Sequence, residues 1–363
     1  MNVLGFTAHR AEKFRQPFET LGGSCDYISV ADRNGFDRYR TMLVTGARTI
    51  KRERPDALLA NGADLVGFVA ILLGIVFDTP VVIRHGGDLW RQRTEKRREQ
   101  LRRREYVGYL SFCGLAVLNA ITYRLADGYI VVSEELREIT HEKTSCPRSR
   151  IKVVPPHIEV DRFEPGEQRT AACAPDAENV ALTVTNLRYQ GKFLGARDCV
   201  DEITGLLREN PDTAYIIAGG GLYYDELVRY VEAVSSPSVR DRIHTPGHVA
   251  DIEALYGLAD AFVYVSYIDG YPNVVLEAQA AGLPVISNPA HGMPMQIDHG
   301  ETGFLVDPST EGSIREPLER LFERPDVSRR IGTRSIERVR RENTADAIAT
   351  ELVDAIGEIH ARV

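Results

Sequence analysis

Asp269 and Glu277 stand eight positions apart around a Gly270-Tyr271-Pro272-Asn273 turn, in the stretch DGYPNVVLEAQAAGLPVI. Gly-Tyr-Pro-Asn favours a turn, Val274 to Ala281 suits a helix, and Gly282 with Pro284 stops it. A short helix therefore begins at a turn rich in backbone donors. Its first-turn N–H groups and positive dipole end suit an anion such as a phosphate, with one carboxylate on each side of a single pocket. A βα turn with two solvated acids is the plainer alternative. A second charged set lies upstream, where Asn186-Leu187-Arg188-Tyr189-Gln190-Gly191-Lys192 follows an apolar run and places two cations within five residues. Arg offers a fork of donors and Lys a mobile point charge, a combination suited to a diphosphate. His85 ends the run Val81-Val82-Ile83-Arg84 and precedes Gly86-Gly87-Asp88, so that its side chain and a backbone carbonyl both face a cleft. A capping histidine on a tight loop is the other reading.

These residues need a scaffold that delivers loops to one edge. Short apolar runs at Val3–Phe6, Ala57–Ala60, Pro80–Arg84, Gly128–Ser133 and Ile151–Val154 alternate with helical stretches, and the alternation restarts at Val180–Thr185, Ala214–Ala218, Ala261–Ser266 and Val285–Ser287. Repeated strand, loop and helix predicts an α/β fold with parallel sheets covered on both faces. In such sheets ligands gather at the carboxyl ends of the strands. The first such loop carries His9 and Arg10, read as solvated, and leads to a helix from about Gln16 to Leu21. Residues from Glu164 to Asn179, rich in Pro, Ala and charge, have the composition of an inter-domain linker. Gly219-Gly220-Gly221 lacks the third spaced glycine of a dinucleotide fingerprint.

At 363 residues the chain exceeds one ordinary core and favours two domains of about 150–200 residues each. A net charge of −8 gives no global case for nucleic acid, and no nucleic-acid-binding motif is present. Five dispersed cysteines without a CxxC pair suit reduced thiols in the cytosol. MNVLGFTAHR enters a strand at once, so no signal peptide is expected. No apolar run reaches the roughly 18 residues of a membrane span.

From Arg91 to Arg104 the sequence carries eight basic residues against two glutamates and leads into the mostly apolar Tyr106–Leu125. A basic helix beside an apolar one suits the surface of an anionic membrane. A solvated helix followed by an ordinary core helix fits the same pattern.

The stretch from Asp269 resembles the donor-binding signature of retaining glycosyltransferases of family 4, in which two acids flank Gly-Phe-Pro-Asn and a helix continues Glu-Ala-Met-Ala-x-Gly-x-Pro-Val. Here Tyr271 is the aromatic, and Gln279 replaces the Met. The resemblance implies a GT-B fold of two Rossmann-like domains facing across a cleft: residues 1–165 on the acceptor side, residues 175–340 binding the donor, and a helix at about 340–363 returning to the first domain. It implies transfer of a sugar from a nucleotide-diphosphate sugar to a hydroxyl acceptor, lipid-linked, glycan or small molecule, with retention of configuration. Lys192, Arg188 and the dipole of the helix at Val274 would stabilise the leaving diphosphate, Glu277 would accept from ribose hydroxyls, and Asp269 would hold sugar hydroxyls. His85 would contact the sugar or its phosphate, and His248 and Val249 would border the base. The family's lipid-linked acceptors favour peripheral attachment through Arg91–Arg104, at the inner face of the membrane.

Several positions depart from the family pattern. Asp269 is one methylene shorter than the usual Glu, Met295 stands where a glutamate is common, and Pro156-His157 replaces a Pro-Asn turn. No acids or histidines have metal-ligand spacing, so the expectation is a metal-independent reaction without a cofactor. A nucleotide-sugar epimerase and a non-catalytic nucleotide-sugar-binding subunit are the alternatives on the same fold.

Overall fold

The computed structural model describes residues 1–8, 16–17, 25–30, 35–163 and 175–361. His9, Arg10, all but the start of the helix expected from Gln16, and residues 164–174 of the expected linker lie outside them. The chain divides into two units, Met1–His157 with Ala345–Val363, and Ile158–Thr344.

The first unit is built on β1 (Val3–Thr7), β2 (Cys25–Ser29), β3 (Ala57–Asn61), β4 (Val81–His85), β5 (Gly128–Val131) and β6 (Ile151–Val153). Every neighbouring pair is parallel, in the order β2-β1-β3-β4-β5-β6. Strands covered on both faces need near-continuous apolar runs, which VLGFT and VVIRH supply. Alternate residues part to opposite faces. Leu4, Phe6, Leu58 and Ala60 pack with the helix Leu65–Phe77, whereas Val3, Ala57, Leu59 and Val82 pack with Ile348, Leu352, Ile356 and Ile359 of the helix Ala345–His360. Burying each of those side chains contributes about 1.5–3 kcal/mol, so that last helix is part of the first core. Gly128 permits the approach, since a Cβ there would lie 2.6 Å from the Ile359 side chain.

A helical hairpin completes this unit: Leu89–Arg102, then Tyr106–Leu125. Trp90 stacks on Tyr123 at 4.9 Å between ring centroids, and Arg93 reaches Asp64 at 2.7 Å. The second helix departs from two sequence expectations, that no apolar run is long enough to span a membrane and that it is an ordinary core helix. By length and composition it is apolar enough to cross a membrane, because its scattered Ser, Gly, Asn and Thr do not lower its mean hydropathy below 1.3. Nor is it a core helix, for only Asn119, Thr122 and Tyr123 are buried.

The second unit carries β7 (Asn179–Val184), β8 (Thr213–Ala218), β9 (Ile243–Gly247), β10 (Ala261–Tyr264), β11 (Val285–Ser287) and β12 (Gly303–Leu305). Again all pairs are parallel, in the order β12-β11-β10-β7-β8-β9. The chain runs outward from β7 through β8 and β9, then returns to lay β10 on the other side of β7. The loops after β7 and β10 thus leave neighbouring strands in opposite directions, which opens a crevice at their carboxyl ends.

Candidate active site

That crevice is where the predicted charges meet. The loop after β7 leads to the helix Gln190–Glu209, whose third residue is Lys192. The loop after β10 carries Asp269. Small residues bring the two together, since a Cβ on Gly195 would lie 1.9 Å from the Val265 carbonyl oxygen and one on Gly191 would lie 3.3 Å from Ile268. Helix and loop therefore pack backbone to backbone. Lys192 Nζ comes to 3.0 Å from Asp269 Oδ1, and the two side chains are 9% and 19% exposed. The ammonium also donates to the Tyr264 hydroxyl at 3.4 Å. An ammonium has three donors, so two internal partners leave capacity for an arriving anion.

Asp269 is held from its other side as well. Its Oδ2 accepts a close hydrogen bond from the Tyr264 hydroxyl and one of 2.9 Å from Ser266 Oγ. Burial and the neighbouring Asp269 charge raise the Tyr264 phenol well above its ordinary pKa, which keeps it a donor. Below the loop, Asn288 exchanges hydrogen bonds with the backbone of Ser266, at 3.1 and 3.0 Å. A two-point clasp of this kind fixes the end of β10 against that of β11.

The helix Asn273–Ala280 starts at the Pro272 N-cap, and no side chain caps it. Two buried glutamines hold this entry: Gln279 Nε2 donates to the Gln296 carbonyl at 2.8 Å, and Gln296 Nε2 donates to the Pro272 carbonyl at 2.9 Å. Gly292 lets the loop after β11 close on the turn, because a Cβ there would lie 2.2 Å from the Gly270 oxygen. Tyr271 and Pro272 are buried, whereas Asn273, Val274 and Glu277 are half-buried. Glu277 Oε2 accepts from the Tyr256 hydroxyl at 3.0 Å. Phe262 lies between the two tyrosines, 5.8 Å from Tyr256 and 6.0 Å from Tyr264. One buried aromatic row thus presents a hydroxyl to each acid.

The remaining candidates have distinct settings. Arg188 is exposed and, among the described residues, its side chain has no hydrogen bond or ion pair. Gly219 and Gly221 adopt φ of 137° and 149°, and side chains there would strike the backbone of Thr185 and Leu187. Those glycines shape the loop that carries Arg188. His248 is exposed and Val249 half-buried, after β9 and beside Gly220. Among the described residues no three His, Cys, Asp or Glu side chains form a metal-binding group.

His85 lies in the first unit at the end of β4, and its ring is 3% exposed. Nδ1 is 3.2 Å from the Gly87 carbonyl and Nε2 is 3.2 Å from Thr140 Oγ1, so both nitrogens are engaged within the unit. Burial pushes its pKa down to about 4. Between about pH 6.5 and 4 the unfolded chain binds a proton that the folded chain refuses. This contribution is full above pH 6.5 and falls by about 3 kcal/mol as the pH drops to 4. Urea midpoints of the wild type are therefore expected to fall more steeply over that window than those of His85→Asn. Parallel curves would refute this linkage.

Two family models match the chain: one described as glycosyltransferase family 4 over residues 6–162, the other as glycosyl transferases group 1 over residues 178–324. The chain belongs to the group 1, family 4 glycosyltransferases. Relatives in this family include the D-inositol 3-phosphate glycosyltransferases of Corynebacterium glutamicum, 28% identical over 62% of this chain, and Mycobacterium bovis, 32% identical over 65%. The matched stretches span 58% and 50% of those relatives' own length. Among solved structures, HepE of Anabaena in complex with UDP aligns with a TM-score of 0.73 at 14% identity, over 98% of this chain and 100% of that one. Sucrose-phosphate synthase of Thermosynechococcus elongatus aligns at 0.74 and 18%, over the full length of both. These likenesses give the chain its GT-B fold.

Tyr256, Tyr264, Ser266, Gln296 and Asn288 are site residues that the motifs do not mark. A tyrosine ending an otherwise apolar strand, as in AFVY, is a signal that could have found Tyr264.

Proposed function

We propose that this glycosyltransferase moves a hexosyl group from a nucleoside-diphosphate sugar to a hydroxyl acceptor, with retention at the anomeric carbon and without a metal ion. The reading is carried by the Lys192–Asp269 pair, fixed by Tyr264 in the crevice between β7 and β10. In the reaction the bond from the anomeric carbon to the diphosphate oxygen breaks, the acceptor oxygen bonds to that carbon, and the acceptor's proton passes to the departing diphosphate. Negative charge grows on the leaving diphosphate. Lys192, Arg188 and the uncapped start of the Asn273–Ala280 helix supply positive charge suited to that oxyanion, the task a divalent cation would otherwise perform. Asp269, already oriented by two hydroxyl donors, accepts from sugar hydroxyls, and Glu277 accepts from the ribose. His248 and Val249 border the base. HepE, described in complexes with UDP and with UDP-glucose, lends support to the donor class. The relatives named for D-inositol 3-phosphate lend support to a hydroxyl acceptor.

A thermal-shift series with nucleoside diphosphates and their sugars tests the donor reading, because a ligand bound only by the folded state raises the melting temperature. One nucleotide is expected to stabilise the protein in the presence of EDTA, by about 2.7 kcal/mol at a hundredfold excess over its dissociation constant. No stabilisation by any of them would sink the donor assignment. Stabilisation that needs a divalent ion would overturn metal independence.

A further inference from the structure

The helix Tyr106–Leu125 turns its apolar side outward. Val107, Leu110, Val117, Ile121 and Leu125 recur at the spacing of one helical stripe, and Val107 is 81% and Leu110 67% exposed. The opposite side carries the buried Asn119, Thr122 and Tyr123 and packs on the first unit. Solvent-facing stripes of ordinary helices are polar, and this one is inverted. A contiguous apolar stripe on the surface marks a binding face.

What covers it is set by the charges beside it. The partner helix of the hairpin, Leu89–Arg102, runs into Arg103 and Arg104 at the turn. Arg91 pairs with Glu95, and Arg103 pairs with Glu99. Arg97, Arg98, Arg102 and Arg104, by contrast, have no side-chain hydrogen bond or ion pair among the described residues. Leu101 and Tyr106 are exposed at the same turn, so cations and apolar side chains alternate along it. A second copy seated on this face would gather like charges around the apolar contact. A surface of anionic lipid takes the apolar stripe into its acyl boundary and neutralises the arginines with its headgroups.

We infer that the Leu89–Leu125 hairpin is a docking surface for an anionic lipid bilayer, with the Val107-to-Leu125 stripe lying in the interface and Arg97, Arg98, Arg102 and Arg104 on the headgroups. The helix lies along the bilayer and does not span it, because its inner side is occupied by contacts within the first unit. This surface stands independently of the sugar-transfer reading.

Co-sedimentation of the full chain with phosphatidylglycerol/phosphatidylcholine vesicles, and with phosphatidylcholine vesicles alone, tests it. The wild type is expected to sediment only with the anionic vesicles, and less as salt is raised. Val107→Ser/Leu110→Ser/Val117→Ser and Arg98→Gln/Arg102→Gln/Arg104→Gln change exposed side chains only. Each is expected to weaken vesicle binding about tenfold or more while the melting temperature holds. Wild-type protein left in the supernatant, or an arginine variant that binds as well as the wild type, overturns the inference. So does a dimer seen by sedimentation velocity without lipid that the stripe variant dissociates, since a second copy would then be the occupant.

Discussion

Lys192→Ala is expected to lower the turnover of sugar transfer about 10²- to 10³-fold, the effect of removing one preorganised donor aimed at a developing oxyanion. The ammonium sits in the crevice at only 9% side-chain exposure, where a charge acts through less water than at the surface. Its position does not depend on the ligand, because the Asp269 carboxylate and the Tyr264 hydroxyl already hold it. Preorganisation of that kind spares the reaction the cost of collecting a cation when charge appears.

A competing explanation for lost activity is lost stability. Removing one partner of a buried ion pair leaves the other uncompensated, at about 3–5 kcal/mol when burial is complete. Asp269 keeps 19% exposure and two hydroxyl donors, so the cost here falls below that range. The double variant Lys192→Ala/Asp269→Asn separates the two effects. It is expected to recover the melting temperature lost by Lys192→Ala and none of the turnover. Recovery of both would place Lys192 among structural residues and remove the electrostatic step.

Much of this site could be read in the chain before its fold was known, and the boundary follows from what local sequence encodes. Asp269 through Val274, Glu277 and Lys192 declare themselves by turn chemistry, helix onset and a cation beside a glycine, all of which are local. That Lys192 touches Asp269 is not local. It depends on β10 returning to the side of β7 opposite β8, and on Gly191 and Gly195 admitting the loop. Tyr256 and Tyr264 were hidden for another reason, since an aromatic in a buried element looks like core until its hydroxyl is given a partner. Met295 is a departure from the family pattern, yet it is the neighbouring Gln296 that holds the Gly270–Asn273 turn. The hairpin shows the reverse case. Its apolar content was legible, but periodicity alone does not say whether a stripe faces inward or outward.

Glu277→Gln is expected to weaken donor binding about ten- to a hundredfold, because hydrogen bonds to a charged acceptor contribute about 1.5–3 kcal/mol and the amide keeps the shape while losing the charge. The side chain is only half-buried, so something must hold its rotamer. The Tyr256 hydroxyl does so at 3.0 Å from Oε2, and Tyr256 is itself fixed by an edge contact with Phe163 at 5.6 Å. Burial and the Glu277 charge raise that phenol well above its ordinary pKa, so it stays a donor at neutral pH. Tyr256→Phe removes the hydrogen bond to the Glu277 carboxylate and a longer one to the Val274 carbonyl at 3.3 Å, leaves the ring in place, and takes away that restraint on the carboxylate. Its expected cost is smaller, about three- to tenfold in affinity, by calorimetry with whichever nucleoside diphosphate stabilises the protein. The two changes act on one interaction and should not add: in a Glu277→Ala background, Tyr256→Phe is expected to change affinity by less than about twofold. Additive losses would mean that Tyr256 reaches the donor by a route other than Glu277, and an unchanged affinity in Glu277→Gln would remove the carboxylate from nucleotide recognition.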